Sequence, residues 1–358
     1  MQSNLKERIH AGLTGDYAGL SNGLDRINDY IFKTQRACYY LIGGLSGSAK
    51  TTFLDFWILN AIEDAEAKGI PINIIYYSWE IDEMSKKANW LSILIYKKYN
   101  IVIPPEKIKG YGNFRLTQEE QLLVFSEVEE VEKLFNKIHF IWEAENPTGM
   151  YKYWWDFMKD RGNFIKEPYT DEFGNIKERI VRFELHDPKE YNIVVGDHLA
   201  IAKLESRNNV GFTLKQNIDK ISEYSVIARN LFKMTFIWLQ QFNQGLSSIE
   251  RQKFKGVDIS PQQSDFKDTT NPYTDADVVL GLMNAYKMDM ESCIGYNVNK
   301  FAAPYNLKDS FRQLKIIKNR LSRDNIAIGL LFLPKAGAFK ELPPAQEMSQ
   351  GWLETNMI

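Results

Sequence analysis

Cysteine is nearly absent. The chain holds two, Cys38 and Cys293, far apart and outside any CxxC pattern, which argues against a zinc ribbon and for a reducing compartment. Histidine is also sparse: His10, His139, His186 and His198 form no HExxH or comparable spacing, so no histidine metal site is expected. Charge of one sign is missing too. The 44 Lys and Arg nearly balance the 46 Asp and Glu, so any nucleic-acid surface must be local rather than global. No apolar run approaches the roughly 18 residues that span a bilayer. The N-terminal MQSNLKERIHAG lacks the apolar core of a signal peptide. A soluble, intracellular protein without a membrane partner is expected. No internal repeat or low-complexity segment stands out.

What is present is globular: 44% hydrophobic and 25% charged residues in 358, enough for one large α/β domain or two ordinary ones. Residues 3–12 suit a short helix, followed by a Gly-rich stretch (12–27) leading into another. CYYLIGG (38–44), INIIYYSWE (72–80), IHFIWE (138–143), YNIVVGDH (191–198), MTFIWLQQ (234–241) and DADVVLGL (275–282) read as short buried strands. Helical spacing fills 50–69, 83–100, 117–137 and 151–160. Residues 161–187 differ, with two polar β-rich arms around EFGN (172–175), and predict an inserted hairpin. FRQLKIIKNR (311–320) and IAIGLLFLP (326–334) predict a terminal antiparallel pair. Strands alternating with helices imply an α/β fold whose mostly parallel sheet is flanked by helices. The expected organisation is a possible docking helix over 1–12, one domain over 13–345 and a tail over 346–358.

GLSGSAKT (44–51) follows a strand and opens a helix, the context that makes a Gly-rich loop a phosphate cradle. Gly44, Ser46, Gly47, Ser48, Ala49, Lys50, Thr51 and Thr52 are the candidate nucleotide contacts. Lys50 would reach the β- and γ-phosphates of ATP, and the Thr51 hydroxyl would ligate Mg²⁺. Ala49 stands where glycine usually precedes the lysine, which is acceptable if its dihedrals are right-handed helical. Asp197, closing NIVVGD, is the candidate second magnesium ligand. Glu80, closing INIIYYSWE, is either the group that takes a proton from the attacking water or a solvated acid at a helix start.

In this order the segments resemble the RecA-like ATPase domain of DnaB-type hexameric replicative helicases, over most of residues 12–342. LSNGLDRIN (20–28), the phosphate loop, YYSWEIDEMS (76–85), VVGDHLAI (194–201), WLQQFNQ (238–244), SDFKDTTNPYTDADVVLGL (264–282) and IIKNR (316–320) carry it. The resemblance implies a RecA-like P-loop core with Glu80 as catalytic glutamate, Asp197 on magnesium and Gln241 as sensor of the γ-phosphate. It also implies Lys318 and Arg320 reaching the nucleotide of a neighbouring subunit. Ala49, Gln240 and Gln244 depart from the family's glycine, serine and arginine. The family's N-terminal primase-binding domain has no counterpart in this sequence.

The resemblance further implies a ring, a hexamer, moving 5′–3′ on single-stranded DNA in a bacterial or phage-infected cytoplasm, with a primase or loader as possible partner. Loops after the Asp and Gln strands would hold the DNA. They correspond to 205–220, with Arg207 and Lys215, and 243–260, with Arg251, Lys253 and Lys255; plain surface loops remain the alternative. The tryptophan pair 154–155 reads as packing rather than a base platform. Two other functions stay open: a recombinase- or RadA-like ATPase forming filaments on DNA, and a scaffold that holds nucleotide without hydrolysing it.

Overall fold

The computed structural model describes residues 5–13, 15, 18–207, 210–243, 259–266, 270–300 and 303–357. Its centre is a nine-stranded sheet in the spatial order β15-β14-β13-β10-β1-β9-β6-β2-β3. The parallel part comprises β1 (Tyr39–Gly44), β2 (Ile72–Ser78), β3 (Ile138–Ile141), β6 (Tyr191–Asp197), β9 (Thr235–Gln241) and β10 (Val278–Met283). β13 (Phe311–Asn319), β14 (Ile326–Leu333) and β15 (Ala338–Glu341) extend it antiparallel, one strand beyond the expected terminal pair. Three two-stranded ribbons stand apart: β4 (Gly162–Thr170) with β5 (Ile176–Leu185), β7 (Ser206–Arg207) with β8 (Val210–Gly211), and β11 (Ser292–Cys293) with β12 (Tyr296–Asn297).

Helices cover both faces, as continuous apolar strands require. They are α1 (Leu5–Leu13), α2 (Asp25–Ile31), α3 (Lys50–Ala67), α4 (Glu83–Tyr99), α5 (Pro105–Ile108), α6 (Gln118–Asn136), α7 (Pro147–Lys159) and α8 (Leu214–Phe232). One core joins α3, α4 and α6 to the sheet through Phe53, Trp57, Trp90 and Phe135. The other joins α7 and α8 through Trp154, Ile221, Phe232 and Trp238. Trp154 is wholly buried and its indole N–H donates to the Tyr77 hydroxyl at 2.8 Å, so it serves packing. Trp155 stacks on Phe164 at the hairpin's base, anchoring β4–β5 while Phe173 and Ile176 at its tip face solvent. Among the described residues no helix is long and apolar enough to cross a membrane.

The stretch 205–220 is not the single loop that its polarity suggested. Thr213 and Gln216 form a capping box, each side chain satisfying the other's backbone N–H, and α8 starts at Leu214. Lys215 therefore sits exposed in the first turn of a helix. Arg207 lies on β7, whereas Arg251, Lys253 and Lys255 fall outside the described residues.

Candidate functional site

Parallel strands deliver their C-terminal ends to one edge of the sheet, where ligands of open α/β folds bind. Register places Gly44 opposite Gln241 and Ser78 opposite Asp197. With β1, β9, β6 and β2 adjacent, the loop 44–50, Gln241, Asp197 and Glu80 share that edge. Lys318 and Arg320 do not. β13 runs antiparallel, pairing Lys318 with Val279 and bringing the Arg320 N–H to the Asp277 carbonyl at 2.8 Å, near the opposite edge. Val279 itself aligns with Leu41, three residues before Gly44. These two cations face away from their own chain's loop.

The loop is shaped by close contact. A Cβ on Gly44 would come 2.6 Å from the Ser48 hydroxyl and 2.7 Å from the Leu282 carbonyl, so no larger residue fits. Gly47 has φ +75, the left-handed conformation that glycine adopts freely. Ala49 has φ 72 and ψ 34, also left-handed, which corrects the expectation of right-handed dihedrals. The reversal that leads the loop into α3 imposes this geometry, and it is strained for a residue with a Cβ.

The start of α3 fits an anion. A helix leaves its first four N–H groups without intrahelical partners. α4, α6, α7 and α8 satisfy some of theirs with the side chains of Asp82, Thr117, Asn146 and Thr213, whereas no side chain caps α3. The Ser48 hydroxyl is buried without a hydrogen-bond partner. Lys50 bends back so that its ammonium donates to the Gly44 and Leu45 carbonyls at 2.8 and 3.0 Å. Burial pushes its pKa down to about 8, against the pull of Asp197 and Glu80.

The oxygen ligands fit a hard divalent cation. The Thr51 side chain hydrogen-bonds to Asp197. Burial raises the Asp197 carboxyl to about 6; Thr51 and Lys86 oppose this, and the charges of Glu80 and Asp55 add to it. A buried carboxylate beside a hydroxyl and a second carboxylate is a site where positive charge is favoured. Among the described residues no three His, Cys, Asp or Glu side chains cluster for a metal. Mg²⁺ would therefore rest on Asp197, Thr51 and substrate oxygens, a coordination style normal for this ion.

Several neighbours of the loop had not been singled out from sequence. Arg312 of β13, 2% exposed, donates from Nε to the Ser48 carbonyl at 3.0 Å. The Lys287 ammonium lies against Gly47. Beneath the site, Lys86 of α4 meets Asp55 of α3 at 3.0 Å and the Tyr76 hydroxyl at 3.1 Å, all three nearly or fully buried. His198, directly after Asp197, places Nε2 3.3 Å from Glu80 Oε1. The last was visible as the residue next to a candidate ligand. The others depend on contacts that no local spacing encodes.

Lys318 donates to the Tyr273 and Thr274 carbonyls at 2.8 and 2.7 Å. Burial and the charge of Arg320 lower its pKa to about 8. Arg320 donates to the Thr274 carbonyl at 2.8 Å and lies 3.3 Å from Asp277 Oδ1.

No family model and no curated protein matches the sequence. Solved structures do. A helicase ATPase domain, solved on its own, superposes with a TM-score of 0.66 at 16% identity, covering 96% of this chain and 100% of that one. A DnaB-like replicative helicase, solved in a study of its interactions with primase, superposes with a TM-score of 0.66 at 16% identity, covering 96% of this chain and 67% of that one. The architecture expected from the sequence is thus observed: this chain has the fold of the ATPase domain of DnaB-like replicative helicases.

Proposed function

We propose that this chain is an ATP-driven replicative DNA helicase, a ring-shaped oligomer that moves 5′–3′ along single-stranded DNA. The observation that carries this reading is the convergence of the phosphate loop, Asp197, Glu80 and Gln241 on one sheet edge, with Lys318 and Arg320 toward the other. Gly44, Ser46, Gly47, Ser48, Ala49 and Thr52 line the triphosphate, and Lys50 leaves its loop carbonyls for the β- and γ-phosphates. Mg²⁺, held by Thr51 and Asp197, supplies charge neutralisation at the same oxygens when bound.

Glu80 accepts a proton from the attacking water as its oxygen bonds to the γ-phosphorus. The bond to the bridging oxygen breaks, leaving ADP and phosphate. Gln241, level with Gly44, reads whether the γ-phosphate is present. Lys318 and Arg320 of an adjacent copy complete the charge stabilisation, which ties hydrolysis to assembly. Such a ring is read as a hexamer. Arg207, Lys215, Arg251, Lys253 and Lys255 give the pore its positive charge for DNA phosphates. A primase or loader partner, a cytoplasmic location and a docking role for 1–12 extend the same reading.

ATP turnover with and without single-stranded DNA, beside particle mass with and without nucleotide, tests it. DNA-stimulated turnover by a ring supports the proposal. Filaments on DNA would favour a recombinase-like ATPase, and bound nucleotide without turnover a scaffold.

A further inference from the structure

Two consecutive residues at the end of β6 serve different partners. Asp197 takes the Thr51 side chain, whereas His198 reaches sideways to the residue after β2. His198 Nε2 lies 3.3 Å from Glu80 Oε1, and Nδ1 accepts the Ala200 N–H at 3.3 Å. A ring nitrogen that accepts a hydrogen bond carries no proton, so in the neutral ring the proton is on Nε2, facing Glu80. The tautomer follows from the fold.

The pair is unequal. The His198 side chain is 15% exposed, while that of Glu80 is 43% exposed. A half-exposed glutamate with three rotatable bonds samples several rotamers unless something holds it. The nearby carboxylate of Asp197 also repels it. An imidazole fixed at one nitrogen, with its other N–H on Glu80, counters both effects.

We propose that His198 is a positioning residue, whose Nε2–H holds the Glu80 carboxylate in the orientation that receives the proton of the attacking water. The inference rests on the assignment of Glu80 made above. His198 touches neither nucleotide nor water, so it changes the rate of the chemical step and leaves nucleotide affinity alone.

Substitution separates this role from the cap on Ala200. His198→Asn retains an oxygen acceptor for the Ala200 N–H but is too short to reach Glu80. His198→Gln is longer and offers an amide N–H. Turnover of the full chain and affinity for a fluorescent ATP analogue are measured for both, with Glu80→Gln and the Glu80→Gln/His198→Asn double variant alongside. The expected result is a kcat lower by about tenfold or more in His198→Asn. Nucleotide affinity stays within about twofold, His198→Gln recovers much of the rate, and the double variant is no slower than Glu80→Gln alone. Wild-type turnover in His198→Asn, or a double variant slowed by the full product of the two effects, overturns the proposal by itself. A wild-type chain that binds ATP without hydrolysing it overturns the motor reading and this inference together.

Discussion

Arg312 and Ser48 are joined by a 3.0 Å hydrogen bond from a buried guanidinium to a carbonyl of the phosphate loop. Arg312 stands near the start of β13, and Lys318 lies six residues further along the same strand, about 20 Å away. One strand thus touches its own chain's loop at one end and carries the cations proposed for a neighbour's nucleotide near the other. Arg312→Ala removes that brace and leaves the space against Phe332 unfilled. ATP affinity is expected to fall about tenfold, the scale of a lost hydrogen bond to a charged group. Equilibrium binding of a fluorescent ATP analogue checks it, and unchanged affinity would show that the loop holds its shape without β13.

Ala49→Gly should stabilise the chain. At φ 72 the alanine Cβ meets the penalty of the left-handed region, about 1–2 kcal/mol, which glycine avoids. Glycine's greater freedom in the unfolded chain offsets part of this gain, roughly 0.4–1 kcal/mol. A net rise in denaturation midpoint without change in slope is expected. A fall would mean that the loop relaxes around alanine at no cost.

Asp197 makes the apo site a source of instability with a defined pH signature. Its folded pKa of about 6 lies above the ordinary 3.8. Between those values the folded chain keeps a proton that the unfolded chain has released. Stability from this group therefore falls as pH rises through the window, and above it the ionised form carries a penalty on the order of 3 kcal/mol. Asp197→Asn should melt higher than wild type at pH 7.5 without magnesium, and the gap should close as the pH drops from about 6 to about 4. The same variant should lose magnesium-dependent turnover. Thermal melts across that range check the first effect, and a gap independent of pH would contradict it.

Much of this was legible in the sequence because it is local. Apolar β-branched runs such as NIIYY and NIVV mark buried strands, and Lys50-Thr51-Thr52 at a helix start marks the phosphate loop. What escaped is set by distance or by shape. The Ala49 dihedrals follow from how the whole loop turns, and alanine itself gives no sign of them. The helix beginning at Leu214 was hidden by polar residues, although Thr213 and Gln216 carried the capping signal. Lys86, Asp55 and Tyr76 read separately as surface charges and a strand aromatic, yet they form one buried cluster. Arg312 meets Ser48 across 264 positions, a contact that no spacing rule addresses.

The central claim is that one copy cradles the triphosphate while Lys318 and Arg320 of the next copy complete the site. Mixing two inactive variants tests this directly. Lys50→Ala lacks the cradle but keeps its cations, and Arg320→Ala keeps the cradle but lacks the arginine. Where an Arg320→Ala loop meets a Lys50→Ala neighbour, a complete site forms. ATP turnover of the mixture should exceed the sum of the two variants measured alone; turnover no greater than that sum would contradict the account.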